Sequence, residues 1–141
     1  MRDLRQAVFV DTSAYFAIAN SADENHPAAV AVWRELVSAA RPTATSNHVV
    51  AEFHALMVRT FGQPTALDAV DRLVLGSSPI LRVSELDEQS AIAILRRYSD
   101  KTYTLVDAMS FVLMERLGIS TAFTFDRHFI QHGFHVIGRD G

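Results

Sequence analysis

Gln6-Ala7-Val8-Phe9-Val10-Asp11-Thr12-Ser13 is the stretch whose reading decides the fold. Gln6 to Val10 is a short β-prone run, apolar from Ala7 onward, and reads as a strand. Asp11, Thr12 and Ser13 follow without a break, and these are the residue types that cap a helix. A strand that feeds directly into a helix is the repeating unit of an α/β sheet, whose ligands sit just beyond the carboxyl ends of the strands. Asp11 stands at that place.

The same alternation runs outward through the chain. Residues 26–40 carry Ala29, Val30, Trp33, Leu36 and Val37 at helical spacing, with Pro27 in the first turn and Pro42 at the stop. A short strand over 42–45 leads to Ser46 or Asn47 as the cap of a helix with the apolar stripe Val49, Val50, Phe53, Leu56 and Met57, ending near Gly62. Another helix is predicted over 64–75, an extended segment over 80–83 and a helix over 87–98. The helix over 106–117 is apolar on nearly every side, which marks it as buried, and Gly118 ends it. A strand over 122–125, a short helix over 126–132 and a last strand over 134–137 complete the pattern. With no repeat or linker, residues 1–141 read as one domain.

Composition narrows the chemistry. The 141 residues are 49% hydrophobic and 21% charged, which suits a globular domain, and no apolar run reaches the roughly 18 residues of a membrane span. The N-terminal residues lack the apolar core of a secretory signal. With no cysteine, disulfides, thiolate metal sites and cysteine nucleophiles are excluded, and a cytoplasmic location is the expectation. Thirteen bases, of which Lys101 is the only lysine, stand against sixteen acids, for a net charge of −3. A mildly acidic chain does not announce a nucleic-acid partner unless its acids are gathered in one place.

Four acids fall where they can gather. Asp11 follows the first strand and Asp126 the strand over 122–125. Glu52 flanks the apolar stripe of its helix, and Asp107 opens the most buried one. Each has a plain structural reading as well: Asp11 and Asp126 as helix caps, Thr104-x-x-Asp107 as a capping box, Glu52 as a flank residue. Gathered at one sheet end they would repel by about 4 kcal/mol per close pair at an effective dielectric near 20. A hard cation, Mg²⁺ or Mn²⁺, would compensate them. Setting the four aside moves the formal charge from −3 to +1, which removes the objection to RNA.

The order and spacing of four blocks resemble the PIN-domain ribonucleases, and within them the VapC toxins of VapBC toxin–antitoxin pairs. These are Val10-Asp11-Thr12-Ser13-Ala14, Val50-Ala51-Glu52-Phe53, the run from Asp100-Lys101-Thr102-Tyr103 through Leu105-Val106-Asp107-Ala108 to Ser110-Phe111, and Thr124-Phe125-Asp126-Arg127-His128-Phe129. The resemblance covers nearly the whole chain. It implies a three-layer α/β sandwich with a central, mainly parallel sheet of about four to five strands flanked by helices. It also implies a homodimeric, metal-dependent endoribonuclease inhibited by an antitoxin whose C-terminal segment crosses the active-site groove. Asp11, Glu52, Asp107 and Asp126 match the family's four acids. Asp11 and Asp107 would be the chief ligands of Mg²⁺ or Mn²⁺, with water attacking phosphorus to leave a 5′-phosphate and a 3′-hydroxyl.

Around these acids, Thr12 and Ser110 are candidates to orient the carboxylates by hydrogen bonds, and Lys101 and Arg127 to meet RNA phosphates. His128 and His132 have i, i+4 spacing but lack the glutamate of a zinc-protease helix. A haloacid-type phosphotransfer site is disfavoured by Ser13, where a second aspartate would stand, and a receiver domain by the placement of Lys101. The remaining alternatives are a catalytically inert interaction module, a PIN nuclease with a non-toxin role in RNA processing, and a nuclease for branched DNA, for which the chain has little room.

Overall fold

The computed structural model describes residues 3–139. Its elements are β1 (Val8–Val10), α1 (Thr12–Ala19), α2 (His26–Ser38), β2 (Thr43–Ser46), α3 (Asn47–Phe61) and α4 (Gln63–Leu75), followed by β3 (Ile80–Leu81), α5 (Glu85–Arg97), α6 (Leu105–Leu117), β4 (Thr121–Thr124), α7 (His128–Gln131) and β5 (His135–Gly138). The five strands form one sheet in the order β3-β2-β1-β4-β5, every pair parallel. Parallel neighbours require crossovers, and right-handed ones toward β3 and then back toward β5 put α1 to α4 on one face and α5 to α7 on the other. The packing agrees: α1 meets α2 and α3, α3 meets α4, α5 meets α6, and α6 meets α7.

The expected α/β class holds, with the sheet wholly parallel. β1 lies at its centre, and Val8, Phe9 and Val10 are fully buried. They join Phe111, Phe123, Phe129, Leu113 and Met114 in the main core, which explains why α6 is apolar around its whole circumference. Among the described residues no helix is long and apolar enough to cross a membrane.

Local hydrogen bonds account for where elements begin and end. β1 starts two residues later than its sequence suggests, because the Ala7 N–H donates to Leu4 O in a turn. β4 stops at Thr124 because the Phe125 N–H donates to Ser13 Oγ at 2.9 Å instead of continuing the ladder. α7 begins at His128, whose N–H is taken by Asp126 Oδ1 at 2.9 Å. α5 begins at Glu85 rather than 87, because Ser84 and Asp87 form a reciprocal capping box. The switch between β1 and β4, where the crossovers diverge, opens a crevice at the carboxyl ends of these two strands.

Candidate active site

Asp11 enters that crevice from the end of β1. It occupies the N-cap position of α1, yet its side chain makes no capping bond. Oδ2 instead accepts hydrogen bonds from Thr124 Oγ1 at 2.9 Å and Ser13 Oγ at 3.1 Å. Each hydroxyl has one proton, spent on Asp11, and each takes a backbone N–H in return: Asp126 N–H on Thr124, Phe125 N–H on Ser13. The first acid is thus tied to the end of β4 by two hydroxyls that also shape the turn leading to Asp126. Asp11 is buried, and its carboxyl is pushed up to about 7, first by burial and further by the negative charges of Asp107 and Asp126, against the Thr124 hydrogen bond.

Asp107 arrives from the other face of the sheet, in the first turn of α6. Its N–H donates to Thr104 Oγ1 at 3.1 Å, and its Oδ2 accepts the Thr104 N–H at 2.9 Å. The capping box therefore exists, and it fixes the carboxylate without using up its oxygens. Oδ2 also accepts from His128 Nδ1 at 2.8 Å. Asp126 Oδ1 holds the His128 backbone N–H and lies 3.2 Å from His128 Nδ1. The imidazole stands between two carboxylates, while its Nε2 is 2.9 Å from Thr102 Oγ1 and its ring meets Tyr103 edge-on, with centroids 5.5 Å apart.

One donor atom from each of Asp107, Asp126 and His128 lies within 4.8 Å of the other two. Two carboxylate oxygens and a ring nitrogen, beside a third carboxyl raised by burial and by the charges of Asp107 and Asp126, form a donor set that fits a divalent cation.

Comparison with known proteins agrees with this geometry. The PIN-domain family model matches residues 8–135. The 23S rRNA-specific endonuclease VapC20 of Mycobacterium tuberculosis is 35% identical over 132 residues, covering 90% of this chain and 95% of that protein. The chain belongs to the PIN-domain family, among the VapC ribonucleases. Ribonuclease VapC26 of the same species is 29% identical over 123 residues, covering 86% of this chain and 89% of that protein. The crystal structure of M. tuberculosis VapC20, described as a sarcin–ricin loop cleaving toxin, superposes with a TM-score of 0.81 at 34% identity, covering 91% of this chain and 96% of that one.

Of the acids expected from its sequence, this PIN domain brings Asp11, Asp107 and Asp126 to one crevice. Glu52 is half-buried on α3 and stands outside the group formed by Asp107, Asp126 and His128. The Thr12 hydroxyl orients no carboxylate, being buried without a hydrogen-bond partner among the described residues, and Thr12 reaches Asp11 through its backbone N–H instead. Ser110 orients none either, since its hydroxyl donates to Val106 O within α6, as hydroxyls in packed helices do. The orienting hydroxyls are Ser13 and Thr124. Lys101 pairs with Asp100 at 3.6 Å on the surface, and Arg127 is exposed at the N-cap of α7. The residue that sequence reasoning weighed only beside His132, and not with the acids, is His128. Its signal was the Asp126-x-His128 spacing, in which an aspartate capping the second residue onward folds that residue's side chain back beside itself.

Proposed function

We propose that this PIN domain is a divalent-metal-dependent endoribonuclease, the toxin of a toxin–antitoxin pair, with Mg²⁺ or Mn²⁺ as its ion. The observation that carries the reading is the convergence of Asp11, Asp107 and Asp126 from three elements on one crevice at the switch point of the sheet. Asp107 and Asp126 would hold the ion with Asp11, and Glu52 would complete the acidic set from α3, which packs against α1 behind Asp11. When bound, the ion supplies positive charge to the phosphodiester and brings the pKa of a water toward neutrality. Ser13 and Thr124 hold the buried Asp11 carboxylate in place, and the Thr104 capping box keeps Asp107 from turning away. Lys101 and Arg127, both exposed, are the proposed contacts to RNA phosphates.

A cognate antitoxin and a homodimeric state belong to the same proposal. A groove of about 1050 Å³ between α1, α2, α3 and α4, lined by Tyr15, Trp33, Phe53, Met57 and Leu73, supports the antitoxin part of it. So do the apolar side chains of Val37 and Leu75, which face solvent beside or near it.

The test is cleavage of an RNA pool, and of a synthetic sarcin–ricin loop, by purified protein with Mg²⁺, Mn²⁺ or chelator. Metal-dependent cleavage that Asp11→Asn and Asp107→Asn each reduce by at least about a hundredfold is the expected result. A folded, antitoxin-free protein that cuts neither substrate with either ion would favour the inert interaction module, and cleavage confined to a precursor RNA would favour a processing role.

A further inference from the structure

We infer that the His128 imidazole is a nitrogen ligand of the metal centre, which gives this chain a preference for Mn²⁺ over Mg²⁺. The inference rests on the functional reading above and adds to it a ligand of a different chemical kind. His128 Nδ1 lies 2.8 Å from Asp107 Oδ2 and 3.2 Å from Asp126 Oδ1, so any cation shared by those two carboxylates meets this nitrogen as well. The ring is held there by contacts that do not involve the acids: Thr102 Oγ1 at 2.9 Å from Nε2, and the edge-on Tyr103 ring.

Without the ion, Nδ1–H donates to Asp107 Oδ2. The ion would take the place of that proton, and the Thr102 hydroxyl can accept the Nε2–H of the other tautomer, which leaves the Nδ1 lone pair for the metal. Histidines that bind metals are oriented in this way, through a hydrogen bond from the other ring nitrogen. Asp126 contributes twice, since the oxygen beside Nδ1 also takes the His128 backbone N–H and keeps the two side chains in register. Tyr103 is itself braced by Phe111 and by His132, whose ring stacks on Phe111 with centroids 4.4 Å apart, so the wall behind His128 is a packed aromatic cluster. A ring nitrogen among carboxylates suits a first-row transition ion. Mg²⁺ is bound through oxygen in strict octahedral geometry and keeps its waters.

The test uses Mn²⁺ alone as the probe. Chelator-treated protein is titrated with Mn²⁺ and its binding followed by the loss of the free-ion EPR signal, and the bound ion is then examined by pulsed EPR. The expected result is a ¹⁴N modulation in the wild type that disappears in protein labelled only at histidine with ¹⁵N. His128→Gln is expected to bind Mn²⁺ at least about tenfold more weakly while its Mg²⁺ affinity changes by less than about twofold. Bound Mn²⁺ with no histidine ¹⁴N modulation, or undiminished Mn²⁺ affinity in a folded His128→Gln, overturns the ligand assignment and leaves the metal-nuclease reading standing. No Mn²⁺ binding by the wild type, or binding indifferent to Asp107→Asn, overturns both. Should His128→Gln not fold, the wild-type and ¹⁵N-histidine spectra decide the matter alone.

Discussion

Asp11 concentrates the cost of the site in one residue. Its carboxyl titrates at about 7 in the folded chain against 3.8 for an unperturbed aspartate, so the folded state binds this proton more tightly than the unfolded state does. The stability linked to the group is therefore fully present below about 3.8 and is lost as the pH rises through about 7. Metal-free protein is expected to melt at progressively lower temperature as the pH is raised across that window. Asp11→Asn, which keeps the shape and removes the charge, should flatten the slope and stabilise the metal-free protein by about 1–3 kcal/mol at pH 8. Melting curves of both proteins in chelator from pH 4 to pH 8 check this. The same substitution abolishes the proposed activity, so a gain in stability beside a loss of cleavage separates a functional acid from a structural one.

Tyr15 is the complementary case. Its hydroxyl is buried beside those of Thr45 and Ser78 without a well-formed hydrogen bond among the described residues, while its ring packs on Phe53 and Trp33. Removing so weakly held a hydroxyl leaves the packing in place, so Tyr15→Phe is expected to change stability by less than about 1 kcal/mol in urea unfolding.

At the scale of elements, helix termini do most of the positioning. The capping boxes at Ser84 and Thr104 start α5 and α6, and Asp87 of the first also accepts from Nε and Nη2 of Arg116 at the end of α6, at 3.0 and 2.9 Å. Burial alone would raise the Asp87 carboxyl, but the hydrogen bonds from the Ser84 backbone, Arg116 and the Ser84 hydroxyl outweigh it and hold it below the usual carboxylate range. The stabilisation is thus present above the unfolded value of 3.8 and is lost as the pH falls through the lower folded one. Arg116→Met leaves a buried carboxylate unpaired. With half of the Arg116 side chain exposed, the expected cost is about 1–2 kcal/mol near neutral pH, shrinking in acid, as measured by urea unfolding at each pH. The other end of α6 depends on Gly118, a left-handed C-cap at φ 69° where an added Cβ would also sit 3.0 Å from Arg5 Cγ. Gly118→Ala is expected to cost about 1 kcal/mol or more by the same assay.

For the molecule as a whole, the fold gathers negative charge that it does not neutralise, and a cation that binds only the folded state must stabilise it by linkage. At a hundredfold excess of Mn²⁺ over its dissociation constant the gain is about 2.7 kcal/mol. Added Mn²⁺ should raise the melting temperature of the wild type, more at pH 8 than at pH 5, and leave Asp107→Asn unmoved. An equal shift in the variant would place the ion elsewhere.

Much of this protein was legible in its residue order. Ala7-Val8-Phe9-Val10 followed by Asp11, and Ala122-Phe123-Thr124-Phe125 followed by Asp126, announce strands ending in acids because the period of an apolar run and the chemistry of its stop are local properties. The alternation of strands and helices then leads to a parallel sheet, since only crossovers can join such strands. Spacing could not show which hydroxyl would reach which carboxylate. Thr12 is adjacent to Asp11 in sequence but its hydroxyl bonds to nothing among the described residues, while Thr124 lies far along the chain and becomes the partner of Asp11 because β1 and β4 are neighbours. Nor could it raise the Asp11 carboxyl or set His128 between Asp107 and Asp126, because burial and charge repulsion depend on distances between segments that meet only on folding. The sequence by itself determined the sheet, the places of its acids and the family. The tertiary structure decided which of those acids share a crevice and what holds them there, since hydrogen bonds and Coulomb forces act over ångströms in space and take no account of separation along the chain.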